Sequence, residues 1–71
     1  MWVKMEDGRL LNLVEFDVVF TDYKKLKASR SHVASGIDIL EIKEFGTEED
    51  AKQKLKRIAD AIEAGDRLYK L

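Results

Sequence analysis

The 71 residues contain no cysteine, which excludes a disulfide, a thiolate zinc site and a thiol nucleophile. That absence fits a reducing compartment. Histidine occurs once, as His32, so a metal site would have to be built from carboxylates, and no loop has calcium-type ligand spacing. Glycine is sparse and scattered. Gly8, Gly36, Gly46 and Gly65 each stand alone where a turn or cap wants one, so there is no glycine-rich phosphate loop. Apolar runs last only a few residues, far short of the roughly 20 that span a bilayer. The opening MWVKMEDG lacks the apolar segment of a signal peptide. These absences lead to the expectation of a cytoplasmic protein with no cofactor, no metal and no membrane partner.

Charge is abundant and balanced. Charged residues make up 38% of the chain, and 13 basic against 14 acidic residues leave a net −1, which argues against wholesale binding to nucleic acid or membrane. A hydrophobic content of 45% is that of a folded chain. The length fits one domain, residues 1–71. So short a chain buries only about 60% of its unfolded surface. Without disulfides or metal, good packing or oligomerisation must stabilise it.

Thr47–Ala64 holds the one long helical pattern, a helix over about 47–64. Ala51, Leu55, Ile58 and Ile62 recur at helical spacing on one face. Thr47 is placed to cap the first turn, with Asp50 three residues on, and Glu48, Glu49 and Asp50 put negative charge at the positive end of the helix dipole. Gly65 suits a stop just past Ala64. Continuation toward Tyr69 stays open as the alternative, because no proline forbids it. Glu48–Lys52, Asp50–Lys54 and Glu63–Arg67 have the spacing of exposed helical ion pairs.

Everything before the helix reads as strand and turn, with strands at about 1–6, 9–14, 16–21, 24–31 and 37–45. Asp7-Gly8 is the strongest hairpin signal and predicts a two-residue type I′ loop. That loop sets Glu6 opposite Arg9 as an ion pair, Met5 opposite Leu10 and Val3 opposite Asn12. Asp22-Tyr23 and Ser35-Gly36 mark further turns. The expected fold is α+β: an antiparallel meander of four to five strands with one C-terminal helix packed on one face. The expected core is Val3, Met5, Leu10, Phe16, Val18, Phe20, Ile39, Leu55, Ile58 and Ile62.

Few residues suggest chemistry. His32 follows Ser29-Arg30-Ser31, but no orienting acid or oxyanion donor marks a nucleophilic site. Asp17, Asp22, Asp38 and Glu41 fall at strand edges and turns as solvated charges rather than as an acid–base cluster. No enzymatic activity is expected. The basic run Lys24, Lys25, Lys27 and Arg30 has no acid between Asp22 and Asp38. It reads as a lysine-protected edge strand, or else as a set of phosphate contacts on a nucleic acid. Nucleic-acid sheets interleave aromatics for base stacking, and only Tyr23 is near.

The stronger pattern is apolar surplus. In the predicted register Trp2, Leu11 and Leu13 share one face of the first hairpin and Val3, Met5 and Leu10 the other. In the last strand Leu40 and Ile42 oppose Ile37, Ile39 and Phe45. One helix covers one face, and a sheet wet on the other should alternate apolar and polar. The second face must be closed by curling, by bulges, by the Leu68–Leu71 tail or by another chain. This points to a small interaction module that forms a homodimer or docks to a protein partner, with Trp2, Leu11, Leu13, Leu40, Ile42, Leu68 and Tyr69 as interface candidates.

WVKMEDGRLLNL and EFGTEEDAKQKLKRIADAI together resemble small bacterial and phage proteins that pair an opening x-D-G-x-L-I-N-L hairpin with a closing strand, a Thr/Ser-Glu-Glu cap and one helix. The resemblance covers a little under half of the chain. It implies a β-meander with a C-terminal helix and transfers no catalytic residues.

Overall fold

Asp7 and Gly8 bend the chain back, but through a loop of three residues and not two. The computed structural model describes residues 1–32 and 36–71, with His32 described through its backbone pairing. The turn expected at Ser35-Gly36 and the side chain of His32 lie outside the described residues. In the first hairpin the Met5 carbonyl accepts from Gly8 N–H at 3.0 Å, and Met5 N–H donates to the Arg9 carbonyl at 2.8 Å. Gly8 has φ +90°. This is a type I turn closed by a glycine bulge. The Asp7 side chain favours it, since Oδ1 accepts from Arg9 N–H at 3.0 Å.

The extra loop residue moves the register by one. Strand β1 (Trp2–Lys4) pairs with β2 (Leu10–Asn12) so that Trp2 faces Asn12, Val3 faces Leu11 and Lys4 faces Leu10. A one-residue slip exchanges the faces of a strand. Val3, Met5, Leu11 and Leu13 are therefore buried together, while Leu10, expected in the core, is exposed. The expected Glu6–Arg9 pair does not form. Arg9 bonds Asp7 at 2.6 Å, and Glu6 is held by Lys43. β2 ends at Asn12, whose side chain accepts from Val14 N–H at 3.2 Å and opens a 3-10 turn over Leu13–Glu15.

Strands β3 (Val18–Asp22), β4 (Lys25–His32) and β5 (Gly36–Glu44) form an antiparallel meander. β4 is its central strand, so the reading of the basic run as an edge strand is corrected. Lysines in mid-sheet are tolerated because acids flank them on both neighbours. Val19, Ala28 and Leu40 face one another across the sheet on the core side. Val18 and Ile39 stand on the other side and are exposed, and Phe20, half-buried, pairs with Lys27 there; all three had been expected in the core. Alternation alone cannot say which face is inward. A β-bulge opposite Leu26 and Lys27 leaves Ile42 as the extra residue. It lets both Ile42 and Phe45 reach the core, though their spacing in a regular strand would put them on opposite faces.

Helix α1 (Glu48–Glu63) lies across β3 and β4. Thr47 caps it, its hydroxyl accepting from Asp50 N–H at 3.1 Å. The buried stripe is Ala51, Ile58 and Ala61 with Leu55 partly covered, and alanines at both ends allow a close approach to the sheet. Ile62, expected in the stripe, is 53% exposed because Ala61 takes the inward position. The helix stops as expected: Gly65 (φ +81°) donates to the Ile62 carbonyl at 3.0 Å and Asp66 to that of Ala61 at 3.0 Å, a Schellman cap. Of the spaced pairs, Glu48–Lys52 closes at 3.2 Å, while Lys54 lies over the Tyr69 ring at 5.6 Å.

The chain then adds a strand that local patterning did not announce. β6 (Leu68–Lys70) pairs in parallel with β1, Trp2 to Leu68, Val3 to Tyr69 and Lys4 to Lys70. The fold is thus α+β with two three-stranded sheets, ordered β2-β1-β6 and β3-β4-β5, and one helix. Val3 from the first sheet, Leu26 from the second and Ile58 from the helix are the largest fully buried side chains of one shared core. Each contributes about 1.5–3 kcal/mol on burial.

Candidate functional site

The outer faces of the two sheets, turned away from this core, hold the exposed apolar and charged groups. On the meander, register places Val18, Ser29 and Ile39 in one row across the three strands, with Ser31 and Ile37 beside it. Val18 is 51% exposed, Ile37 69% and Ile39 60%. The small serines between them leave the isoleucines standing proud. β5 is an edge strand, so its far backbone edge has no ladder partner among the described residues. Edges are usually guarded by lysine or proline. Along β5 the only lysine, Lys43, is turned to Glu6 and the Phe45 ring.

The other end of this face is ionic. Lys25 reaches Glu41 at 3.0 Å and Lys27 reaches Asp22 at 2.8 Å. The hydrogen bond to Glu41 and then its charge hold the Lys25 ammonium above its usual pKa. The Lys27 hydrogen bond first, and its charge second, hold the Asp22 carboxyl below its usual value. Asp22, Tyr23 and Lys24, with Lys25, Lys27, Glu44 and Glu48, line a shallow hollow of about 500 Å³ in which three lysines meet three carboxylates. Tyr23, 79% exposed, forms its rim at the first position of a two-residue turn.

Of the basic run, Lys24, Lys25 and Lys27 meet at this hollow, but Arg30 does not. Its position on β4 faces the core side, where Nε stands 3.6 Å from Asp38 and the guanidinium 5.6 Å from the Phe16 ring centre. The four cations do not converge on one surface, and Lys25, Lys27 and Arg30 are matched by acids.

Of the interface candidates, Leu11, Leu13 and Ile42 are buried, the first two through the hairpin register and Ile42 because it shares the core-side face of Leu40. Leu40 and Tyr69 are half-buried against the core. Trp2 and Leu68 do lie on a surface, side by side on the outer face of the β2-β1-β6 sheet. Sequence reasoning missed Val18, Ile37 and Ile39 by assigning two of them to the core. Ile37 and Ile39 opposing Leu40 and Ile42 was the available signal. Among the described residues no three His, Asp or Glu side chains gather as a metal site, and no helix is long and apolar enough to cross a membrane. Comparison with known protein families, curated proteins and solved structures finds no match.

Proposed function

We propose that this chain is a small protein-interaction module that associates with a second copy of itself along the open edge of β5. The observation behind this reading is the pair Ile37 and Ile39, well over half exposed on a nine-residue edge strand. Antiparallel pairing of two β5 edges about a twofold axis satisfies the free backbone groups of both copies in one self-complementary contact. An axis at Ile39 sets the two Ile39 side chains together. An axis at Asp38 or Glu41 instead opposes like charges. The exposed side chains of Ile37 and Ile39 add apolar contact to the backbone ladder.

Sedimentation equilibrium over a concentration series tests the reading. A monomer–dimer equilibrium is expected, shifted to monomer by Ile39→Lys, which puts a charge at the centre of the contact. A strict monomer at the highest accessible concentration, or a dimer indifferent to Ile39→Lys, overturns it.

A further inference from the structure

We infer that the outer face of the β2-β1-β6 sheet is a docking surface for an acidic, apolar extended segment of a partner protein, added as a strand along β6. The face has two rows. One runs Asn12, Trp2, Leu68 and the other Leu10, Lys4, Lys70. Trp2 is 47% exposed and Leu68 beside it 45%, and tryptophan is among the residues that most often anchor protein interfaces.

Lys4 stands directly opposite Lys70 on neighbouring strands. Like charges at that spacing destabilise a sheet. Neither lysine has an ion-pair partner among the described residues. Both line a hollow of about 480 Å³ at the end of the sheet, and its one carboxylate side chain, Glu6, is held by Lys43. The chain as a whole is at −1, whereas Lys4 and Lys70 set two positive charges side by side on this face. No side-chain carboxylate of the described residues is paired with either lysine, and an acidic partner supplies one.

The geometry also sets the pattern of that partner. β6 is an edge strand, open on the side away from β1. A strand laid along it sets one residue beside Leu68 and the next but one beside Lys70, because side chains on one face recur every second residue. The matching segment therefore carries an apolar residue two positions from an acidic one, both on the same face. Two lysines are few for an anionic membrane, whose basic clusters hold about four or more. This surface lies on the opposite sheet from the β5 edge, so its failure and the failure of self-association are read separately.

Trp2 is the only tryptophan in the chain, so indole emission reports on this face directly. The probe is a synthetic heptapeptide, Ser-Val-Thr-Glu-Thr-Val-Ser, which sets valine, glutamate and valine on one face of a strand, with a counterpart in which lysine replaces glutamate. The glutamate peptide should shift Trp2 emission to the blue with saturation, more weakly as salt rises, while the lysine peptide does nothing. Lys70→Glu should weaken binding by about tenfold or more. It should also raise the thermal midpoint of the free protein by pairing with Lys4, which shows that the variant is folded. No response to the glutamate peptide, an equal response to the lysine peptide, or affinity unchanged in Lys70→Glu overturns the inference. A response to anionic phospholipid vesicles without one to the peptide overturns it in favour of a membrane. Emission that shifts with protein concentration alone, and ceases to do so in Lys70→Glu, overturns it in favour of a second copy.

Discussion

Tyr23 occupies a backbone position that glycine takes at no steric cost. Its φ of +53° at the first residue of the Tyr23-Lys24 loop, with Lys24 on the ordinary side, fits a type II′ hairpin turn. A side chain there costs roughly 1–2 kcal/mol. Glycine regains that but loses about 0.5–1 kcal/mol to the greater freedom of the unfolded chain. Tyr23→Gly is therefore expected to stabilise the domain by about 0.5–1 kcal/mol, read from the urea midpoint at unchanged slope. The neighbouring Asp22 gives a second prediction. Its carboxyl is held below the usual 3.8, first by the Lys27 hydrogen bond and then by the lysine charge. A depressed folded value means that the pair stabilises the fold above the unfolded pKa and loses that effect as pH falls through the folded one. Lys27→Met should return the Asp22 midpoint toward 3.8, followed by carboxyl NMR. A midpoint that stays put would show that another group holds the proton off.

Elements differ in how much of their structure is written locally. Helix α1 was legible at both ends because its signals are short-range: the Thr47 hydroxyl meets the Asp50 amide three residues on, and Gly65 supplies the left-handed stop. An added Cβ at Gly65 would meet nothing within 4 Å, so Gly65→Ala should cost only the conformational penalty, about 1 kcal/mol by urea denaturation. The inward face was legible only in part. Ile58 and Ile62 look equivalent by spacing, yet one is buried and the other half exposed. Ile58→Ala should cost about 2–5 kcal/mol, the whole stability of such a small domain, and leave the chain largely unfolded by circular dichroism. Ile62→Ala should stay within about 0.5 kcal/mol. Strand registers were the least legible. The loop at Asp7-Gly8 was visible, but not its length, which goes with the glycine bulge at Gly8 and the Asp7 carboxylate that accepts from Arg9 N–H, and with that length Leu11 and not Leu10 is buried. The same limit hid much of the candidate surface. Which of Leu40 and Ile39 faces outward depends on β4, a partner several turns of sequence away, and the bulge at Ile42 leaves no local mark. β6 is three residues long, and its partner Trp2–Lys4 lies at the other end of the chain.

At the scale of the whole molecule, two small sheets and one helix share a core that no disulfide staples. Its closing contact is the parallel ladder between β1 and β6. Trp2 N–H donates to the Arg67 carbonyl at 2.8 Å and Leu71 N–H to the Lys4 carbonyl at 3.1 Å, so the ladder is bonded at both of its ends. Because these strands run the same way, a pull on residue 1 and a pull on residue 71 act along the ladder in opposite directions. The hydrogen bonds are then loaded in shear and must fail together, not one after another as in an unzipping hairpin. In a force spectroscopy experiment, handles at residues 1 and 71 should meet a higher unfolding force than handles at residues 1 and 12, which peel β1 from β2. Six strand residues joined in parallel thus make this small domain a mechanical clasp between the two ends of its chain.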